Sequence, residues 1–518
     1  MTEREPAPRP ELSEETGGGE GPAARPVRPI GLGLGLAVFL GLLALAPPEG
    51  MPPAAWRVAA VAALMAVFWV TEALPLAATA LIPLAALPLL GVAAVDAAAA
   101  PYANPLIFLF FGGFILALAL ERWRLHERIA LAILSRAGTR MDGMIGGFMA
   151  ATAGLSMWVS NTATALMMLP IALSVIRVLH LDGGAPDGPE AGRKFAPALL
   201  LSIAYGASVG GMATLIGTPP NAFLAGFMKQ NYGLDIGFAQ WLALGLPLST
   251  ILLGIVWWLL TRVIYRLKGA VAEGADAVIA RRDAARGPWS RGERLTACLF
   301  GATALAWVTR PLFAPYLPAA VRIDDTVIAM TAAVASFMIP VELRRGVFLM
   351  NWAWARRVPW DILVLFGGGL SLASAIAKTG LAAWIGAWLS WAEGLPPILV
   401  ILAVVTVIIF LTELTSNTAT TAAFLPVMAA LAISLGENPL LLVAPAALAA
   451  SCAFMMPVAT PPNAIVFGSG HLTVPQMARA GILLNLAAIA VITGLAYSLM
   501  LVVFGVEPGS LPGWARPS

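Results

Sequence analysis

Two stretches of this chain pose a problem that few folds can solve. Residues 143–176 contain no Lys, Arg, Asp or Glu, and residues 395–436 contain only Glu413. Both far exceed the roughly 20 apolar residues that cross a hydrocarbon core. Each has a Ser-Asn-Thr triplet near its middle, Ser160-Asn161-Thr162 and Ser416-Asn417-Thr418. These residue types compete for backbone hydrogen bonds and favour caps and turns over helix interiors. In a bilayer an interrupted helix is tolerated only where its backbone is buried in protein or lines a cavity. One such triplet could be a detail of helix packing. Two in matching places of a duplicated chain suggest a binding site.

The rest of the composition places both stretches in a membrane. Of 518 residues, 59% are hydrophobic and only 11% charged. The net charge of +3 says nothing in favour of nucleic acid, because the basic residues sit in short loops between apolar runs. Sixteen Trp suit a protein with two membrane interfaces. Cys298 and Cys452 read as buried small residues, and His126, His180 and His471 are too scattered to bind a metal. There is no HExxH, P-loop or CxxC, and Gly31-Leu32-Gly33-Leu34-Gly35 lacks the strand context of a dinucleotide site. Residues 1–30, rich in Pro, Glu, Gly and Arg, read as a disordered tail without a cleavable signal peptide.

Charge sets the topology. Basic clusters lie in the tail, in 121–140, 177–194, 262–294 and 342–358, and Lys and Arg mark the cytoplasmic side. If 143–176 dips into the membrane and returns, all five clusters face the cytoplasm; if it crosses, the last two face outside. The same count makes 395–436 a hairpin from the opposite side and puts the C-terminus outside. The expected fold is an all-α polytopic membrane protein with eleven transmembrane helices and two opposed re-entrant hairpins. Residues 31–47 form a first helix outside the repeat. Residues 54–264 and 293–505 form the two halves, 265–292 a charged cytoplasmic loop and 506–518 a C-terminal tail. Three motifs recur in order: Phe111-Gly112-Gly113 with Phe366-Gly367-Gly368, the two triplets, and Gly217-Thr218-Pro219-Pro220-Asn221 with Ala459-Thr460-Pro461-Pro462-Asn463. Same order with opposite topology is an inverted repeat, a mark of alternating-access transporters.

Paired prolines remove backbone donors and clash with the preceding turn, so each Pro-Pro span must unwind just before them. Freed carbonyls there, with nearby hydroxyl and amide oxygens, suit a small hard cation such as Na⁺. Helix N-termini at the prolines, at Asn161 and at Asn417 present N–H groups and positive dipole ends to an anion. Residues 195–228 are also uncharged, so an anion would meet hydroxyls, amides and helix ends rather than a fixed Arg. Glu413 is a candidate cation ligand or proton carrier; helical periodicity turns it away from Ser416 and favours a structural hydrogen bond within the hairpin. Glu72 reads as interfacial, at a helix end.

At these motifs, and along Ser451 to Val466, the chain resembles the divalent anion/sodium symporter family, over roughly 50–505. The resemblance implies a homodimer whose transport domain moves like an elevator against a scaffold domain. It implies one Na⁺ site from Ser156, Ser160, Asn161 and the Gly217 carbonyl, and another from Thr412, Thr415, Asn417 and the Ala459 carbonyl. The substrate carboxylates would be held by Ser160, Asn161, Thr162, Ser416, Asn417 and Thr418, with Thr218, Pro219, Thr460 and Pro461 lining the pocket.

The expected function is sodium-coupled symport of C4-dicarboxylates such as succinate across a bacterial inner membrane, N-terminus in the cytoplasm, with two or more co-transported Na⁺ ions. The partners are a di- or tricarboxylate, sodium and lipid, and not nucleic acid. An exchanger, or a symporter of citrate or sulfate, is the alternative within the fold. An intramembrane enzyme using Ser160 or Ser416 is the alternative outside it; neither serine has a His or Lys base in its hairpin.

Overall fold

A chain this apolar can satisfy its backbone in lipid only by closing hydrogen bonds within each segment. A computed structural model describes residues 29–181, 189–267, 270–272, 274–318, 322–388 and 394–515. Residues 1–28 of the expected tail lie outside them.

The chain opens with α1 (Pro29–Ala44) and α2 (Pro53–Thr71), and Glu72 caps α2 in the left-handed region at φ 49°. Short helices α3 (Leu76–Ala80), α4 (Ile82–Leu89) and α5 (Val95–Ala99) lead to α6 (Pro105–Arg122) and α7 (Leu125–Leu134). Next come α8 (Met141–Ser156), α9 (Asn161–Leu181), α10 (Pro189–Met212), α11 (Pro219–Tyr232) and α12 (Phe238–Trp258). A short polar helix, α13 (Ala275–Ala284), precedes α14 (Arg291–Phe313) and α15 (Asp325–Met338). A small ribbon pairs β1 (Pro340–Glu342) with β2 (Val347–Phe348). The chain continues through α16 (Trp352–Ala355), α17 (Trp360–Lys378), α18 (Leu381–Trp388), α19 (Pro397–Thr412) and α20 (Asn417–Ser434). It ends in α21 (Leu440–Ala450), α22 (Pro461–Phe467), α23 (Val474–Val491) and α24 (Tyr497–Val503).

This is an all-helical membrane protein. Among the described residues, 9 helical segments are long and apolar enough to cross a membrane. Two of these, Asn161–Val178 and Asn417–Ser434, lie in the expected hairpins, and Pro29–Ala44, Leu76–Leu89, Asp325–Met338 and Leu440–Ala450 are shorter apolar helices, so the nine do not match the eleven expected crossings one to one. Residues 73–95 divide into α3 and α4, and 439–470 into α21 and α22 on either side of an irregular segment. The two longest runs divide at their triplets, α8 from α9 and α19 from α20.

Two packing features position these breaks. The start of α8 is tied to the end of α12: Asp142 pairs with Arg262 at 2.8 Å, and Trp257 Nε1 donates to the Asp142 carbonyl at 2.9 Å. Beside it, Met141 N donates to the Ala270 carbonyl and Ala272 N to that of Thr139. The halves also exchange partners across the middle, since α9 packs against α22 and α11 against α20. Four helix starts, at Asn161, Pro219, Asn417 and Pro461, thereby belong to one cross-packed core.

Cys452 is buried as expected, but Cys298 is exposed. It lies on α14, whose span is only 11% buried within the chain. Apolar sequence surroundings there mark a helix left exposed within this chain rather than a core.

The recurrent Gly-Gly pairs permit close helix contacts. A Cβ on Gly112 would lie 2.8 Å from the Ala329 backbone on α15, and one on Gly368 only 2.1 Å from the Ala80 carbonyl oxygen on α3. A backbone oxygen cannot swing aside as a flexible side chain can. Gly368→Val is therefore expected to cost about 1–3 kcal/mol or more through overpacking, read as a lowered melting temperature in detergent. An unchanged melt would mean that α3 and α17 do not approach this closely.

Candidate functional site

Each helix start at the core is made by the residue before it. Ser416 is extended at φ −67° and ψ 132°, so Asn417 opens α20. Thr218 (φ −143°, ψ 144°) and Thr460 (φ −140°, ψ 150°) do the same for α11 and α22. The first N–H groups of a helix have no partner within it. At α11 and α22 the two prolines remove two of those donors. Anion-binding capacity therefore rests mainly on α9 and α20, the helices that begin at the triplet asparagines.

The cation candidates converge in a repeated pattern. Ser156 Oγ stands 2.5 Å from Asn161 Oδ1 and 2.8 Å from the Ala207 carbonyl oxygen. Thr412 Oγ1 stands 2.8 Å from Asn417 Oδ1 and 2.9 Å from the Ala450 carbonyl oxygen. A hydroxyl has one proton to donate, so each trio of oxygens keeps one acceptor without a hydrogen. Such a cluster of hard oxygens, buried and electron-rich, suits a small cation. The Gly217 carbonyl joins the first trio: a Cβ on Gly211 would fall 2.7 Å from Asn161 Oδ1 and 3.1 Å from Gly217 O. Both oxygens thus face the space that a side chain at Gly211 would fill.

Other expected ligands go elsewhere. The Thr415 hydroxyl bonds the Leu411 carbonyl at 3.0 Å and Thr420 Oγ1 at 2.6 Å, outside the second trio. Ser160 Oγ accepts from Ala163 N at 3.2 Å and is exposed, while Asn161 and Thr162 are half-buried. Thr218, Thr418 and Thr460 are buried, Ser416 and Pro219 half-buried, and Ala459 buried.

Sequence reasoning missed the parts that hold the unwound segments in shape. Asn221 Nδ2 donates to the carbonyls of Gly211, Met212 and Thr214, the last at 2.7 Å. Asn463 Nδ2 donates to those of Ala453 and Met456, both at 3.0 Å. Their place after each Pro-Pro was a visible signal, whereas the Ala207 and Ala450 carbonyls carried none. Glu413 also departs from expectation. Among the described residues its carboxylate bonds outside the hairpin, accepting from the Phe454, Met455 and Met456 backbone N–H groups and from Asn485.

A cavity of about 1320 Å³ includes Ser160, Thr162 and Pro461 in its lining. Its lining also carries Arg124, Arg282, Arg286 and Arg357. These cations are engaged: Arg124 and Arg286 pair with Glu127 and Arg357 with Glu121, while Arg282 binds Ser174 Oγ at 2.8 Å.

The family described as sodium:sulfate symporter transmembrane region matches residues 28–504. The sodium-dependent dicarboxylate transporter SdcS of Staphylococcus aureus strain USA300 is 40% identical over 479 residues, covering 92% of each chain. SdcS of strain MRSA252 matches to the same extent. Among solved structures, the Alcanivorax borkumensis YdaH transporter aligns with a TM-score of 0.56 at 15% identity, covering 89% of this chain and all of its own. Neisseria gonorrhoeae MtrF aligns at 0.57 and 13%, covering 91% of this chain. At such identities the structural likeness speaks for the fold alone.

The space at Gly211 gives a direct test. Gly211→Ala adds a methyl where Asn161 Oδ1 and Gly217 O converge, and should raise the Na⁺ concentration for half-maximal response at least several-fold while the protein still folds. Measured by Na⁺-dependent thermal stabilisation, a wild-type Na⁺ midpoint would remove that space from the cation site.

Proposed function

The chain belongs to the sodium:sulfate symporter family, and on that premise we propose that it is a sodium-coupled symporter of C4-dicarboxylates such as succinate. The observation that carries this reading is the duplicated oxygen trio, each placed beside a helix N-terminus that begins at a triplet asparagine. Relatives named as sodium-dependent dicarboxylate transporters cover almost the whole chain, which favours a carboxylate over sulfate.

The chemistry follows from charge. Two carboxylates entering a dry site need positive partners, and the core offers helix N-termini in place of a fixed Arg. N-termini are modest anion sites by themselves. A Na⁺ ion at each trio would supply the missing positive charge within the same core. Anion affinity then depends on bound sodium, which couples the two gradients. Release becomes easy once sodium leaves, whereas a bidentate Arg would hold the anion firmly. Ser160, Asn161 and Thr162 would bind one carboxylate and Ser416, Asn417 and Thr418 the other, with Thr218, Pro219, Thr460 and Pro461 around them.

The topology belongs to the same reading: eleven crossings, counting broken helices, and two opposed re-entrant hairpins at 143–176 and 395–436 in an inverted repeat. The protein works as a homodimer in the inner membrane and moves its site by an elevator motion. The N-terminus is cytoplasmic and the C-terminus outside. The arginines that line the cavity lie in clusters that the positive-inside rule assigns to the cytoplasm, which supports an inward-open reading of the described conformation.

Proteoliposomes decide the matter. Labelled succinate should accumulate under an inward Na⁺ gradient and stop when K⁺ replaces Na⁺, with unlabelled fumarate and malate competing. Asn161→Ala and Asn417→Ala should each abolish uptake in folded protein. Na⁺-independent counterflow from anion-loaded vesicles would replace symport with exchange.

A further inference from the structure

Glu413 is 4% exposed, and its partners in the described structure are all amide donors. Phe454 N and Met455 N approach Oε1 at 2.7 and 2.9 Å, Met455 N and Met456 N approach Oε2 at 3.0 and 3.1 Å, and Asn485 Nδ2 approaches Oε1 at 2.8 Å. Three consecutive backbone N–H groups aimed at one anion form a nest of the kind that binds phosphate, here filled by a side chain. The three backbone N–H groups can only donate, so these contacts fit an ionised acceptor.

This nest lies in the irregular segment between α21 and α22, the segment that ends at Ala459 and Thr460. It is held from other sides as well. Tyr205 donates to the Phe454 carbonyl at 2.9 Å, and Asn463 clamps Ala453 and Met456 from within. The first half is built differently. Met157 follows Ser156 as Glu413 follows Thr412, and there the Thr214 hydroxyl donates to the Met157 carbonyl while Trp241 Nε1 binds the Met212 carbonyl at 3.1 Å. The two oxygen trios match, but only the second has a buried carboxylate adjoining its hydroxyl residue in sequence.

We propose that Glu413 is a positioning residue for the second cation site, and that its fixed negative charge makes that site the tighter of the two. Through three backbone N–H donors it holds the α21–α22 segment, and through Asn485 it holds α23, against the hairpin that carries Thr412 and Asn417. Its charge, taken up by amide dipoles rather than by a Lys or Arg, still draws a cation to the neighbouring oxygens in a low-dielectric core. The inference deepens the sodium-coupled reading and rests on it for the identity of the ion.

The test compares wild type with Glu413→Gln, Glu413→Asp and Asn485→Ala. The Na⁺ midpoint of thermal stabilisation in detergent is measured beside the Na⁺ dependence of succinate uptake. Glu413→Gln removes the charge and turns an NH₂ group towards the nest, and should raise the Na⁺ midpoint roughly tenfold, the scale of one charge-assisted hydrogen bond. Glu413→Asp should fall between it and wild type, Asn485→Ala should shift the midpoint less in the same direction, and the succinate KM at saturating Na⁺ should stay near wild type. A wild-type midpoint in the folded variants, or a uniform loss of maximal uptake alone, overturns the proposal. If Glu413→Gln fails to fold, unchanged midpoints in the other two overturn it equally. Loss of a proton-gradient effect with unchanged Na⁺ dependence would make Glu413 a proton carrier instead. Wild-type protein that binds Na⁺ yet takes up no succinate would defeat the transport reading and leave the positioning role standing.

Discussion

The structure depends on the cost of leaving a backbone polar group unpaired away from water. A helix broken at membrane depth exposes carbonyls and N–H groups that lipid cannot satisfy. This chain breaks such helices at its two triplets and before its two Pro-Pro pairs, and each break recruits partners. Asn221 and Asn463 fold back onto the carbonyls of their own unwound segments, Ser156 and Thr412 reach carbonyls of the neighbouring helices, and Glu413 gathers three N–H groups. This pairing leaves over, among other buried polar atoms such as Oδ1 of Asn221 and Asn463, one acceptor in each oxygen trio and the first N–H groups of α9 and α20. Those remainders are what a cation and an anion would complete.

Packing makes the remainders precise. Because α9 lies against α22 and α11 against α20, neither half can place its broken ends without the other. Gly211 and Gly217 face each other closely, since a Cβ on either would stand within about 3 Å of the other's backbone. At the far end of α8, the Asp142–Arg262 pair and the Trp257 bond fasten the first hairpin segment to α12. In the proposed transport cycle such ties would let the elements around the site move as one piece, while the ion pairs among Glu127, Arg286, Glu293 and Arg128 tie α7 to the start of α14.

Much of this was legible in the sequence because membrane burial punishes polarity so strongly. A Ser-Asn-Thr triplet or a Pro-Pro pair inside an uncharged run stands out, and its repetition separates design from accident. The helix starts at Asn417, Pro219 and Pro461, the buried positions of Thr412 and Gly217, and the all-helical class all followed from that pattern. Less legible were residues whose part lies in the backbone. Ala207 and Ala450 contribute carbonyl oxygens, which any residue possesses, so no side chain marks them. Thr415 had the right chemistry and adjacency, yet its hydroxyl turns to Leu411 and Thr420. Cys298 had apolar neighbours in sequence but lies on a helix face that this chain leaves exposed.

By itself the sequence determined where the chain must break, since prolines and short polar residues act locally through missing donors and competing hydrogen bonds. It also determined that the breaks come in two matching sets and that no Lys or Arg lies within the runs containing the first triplet and the first Pro-Pro pair. Tertiary structure alone decided which oxygens meet, because carbonyls from α10 and α21 reach the hairpin hydroxyls only after the helices pack. It alone gave Glu413 its partners, four donors drawn from residues 41 to 72 positions away, a convergence that no local pattern encodes.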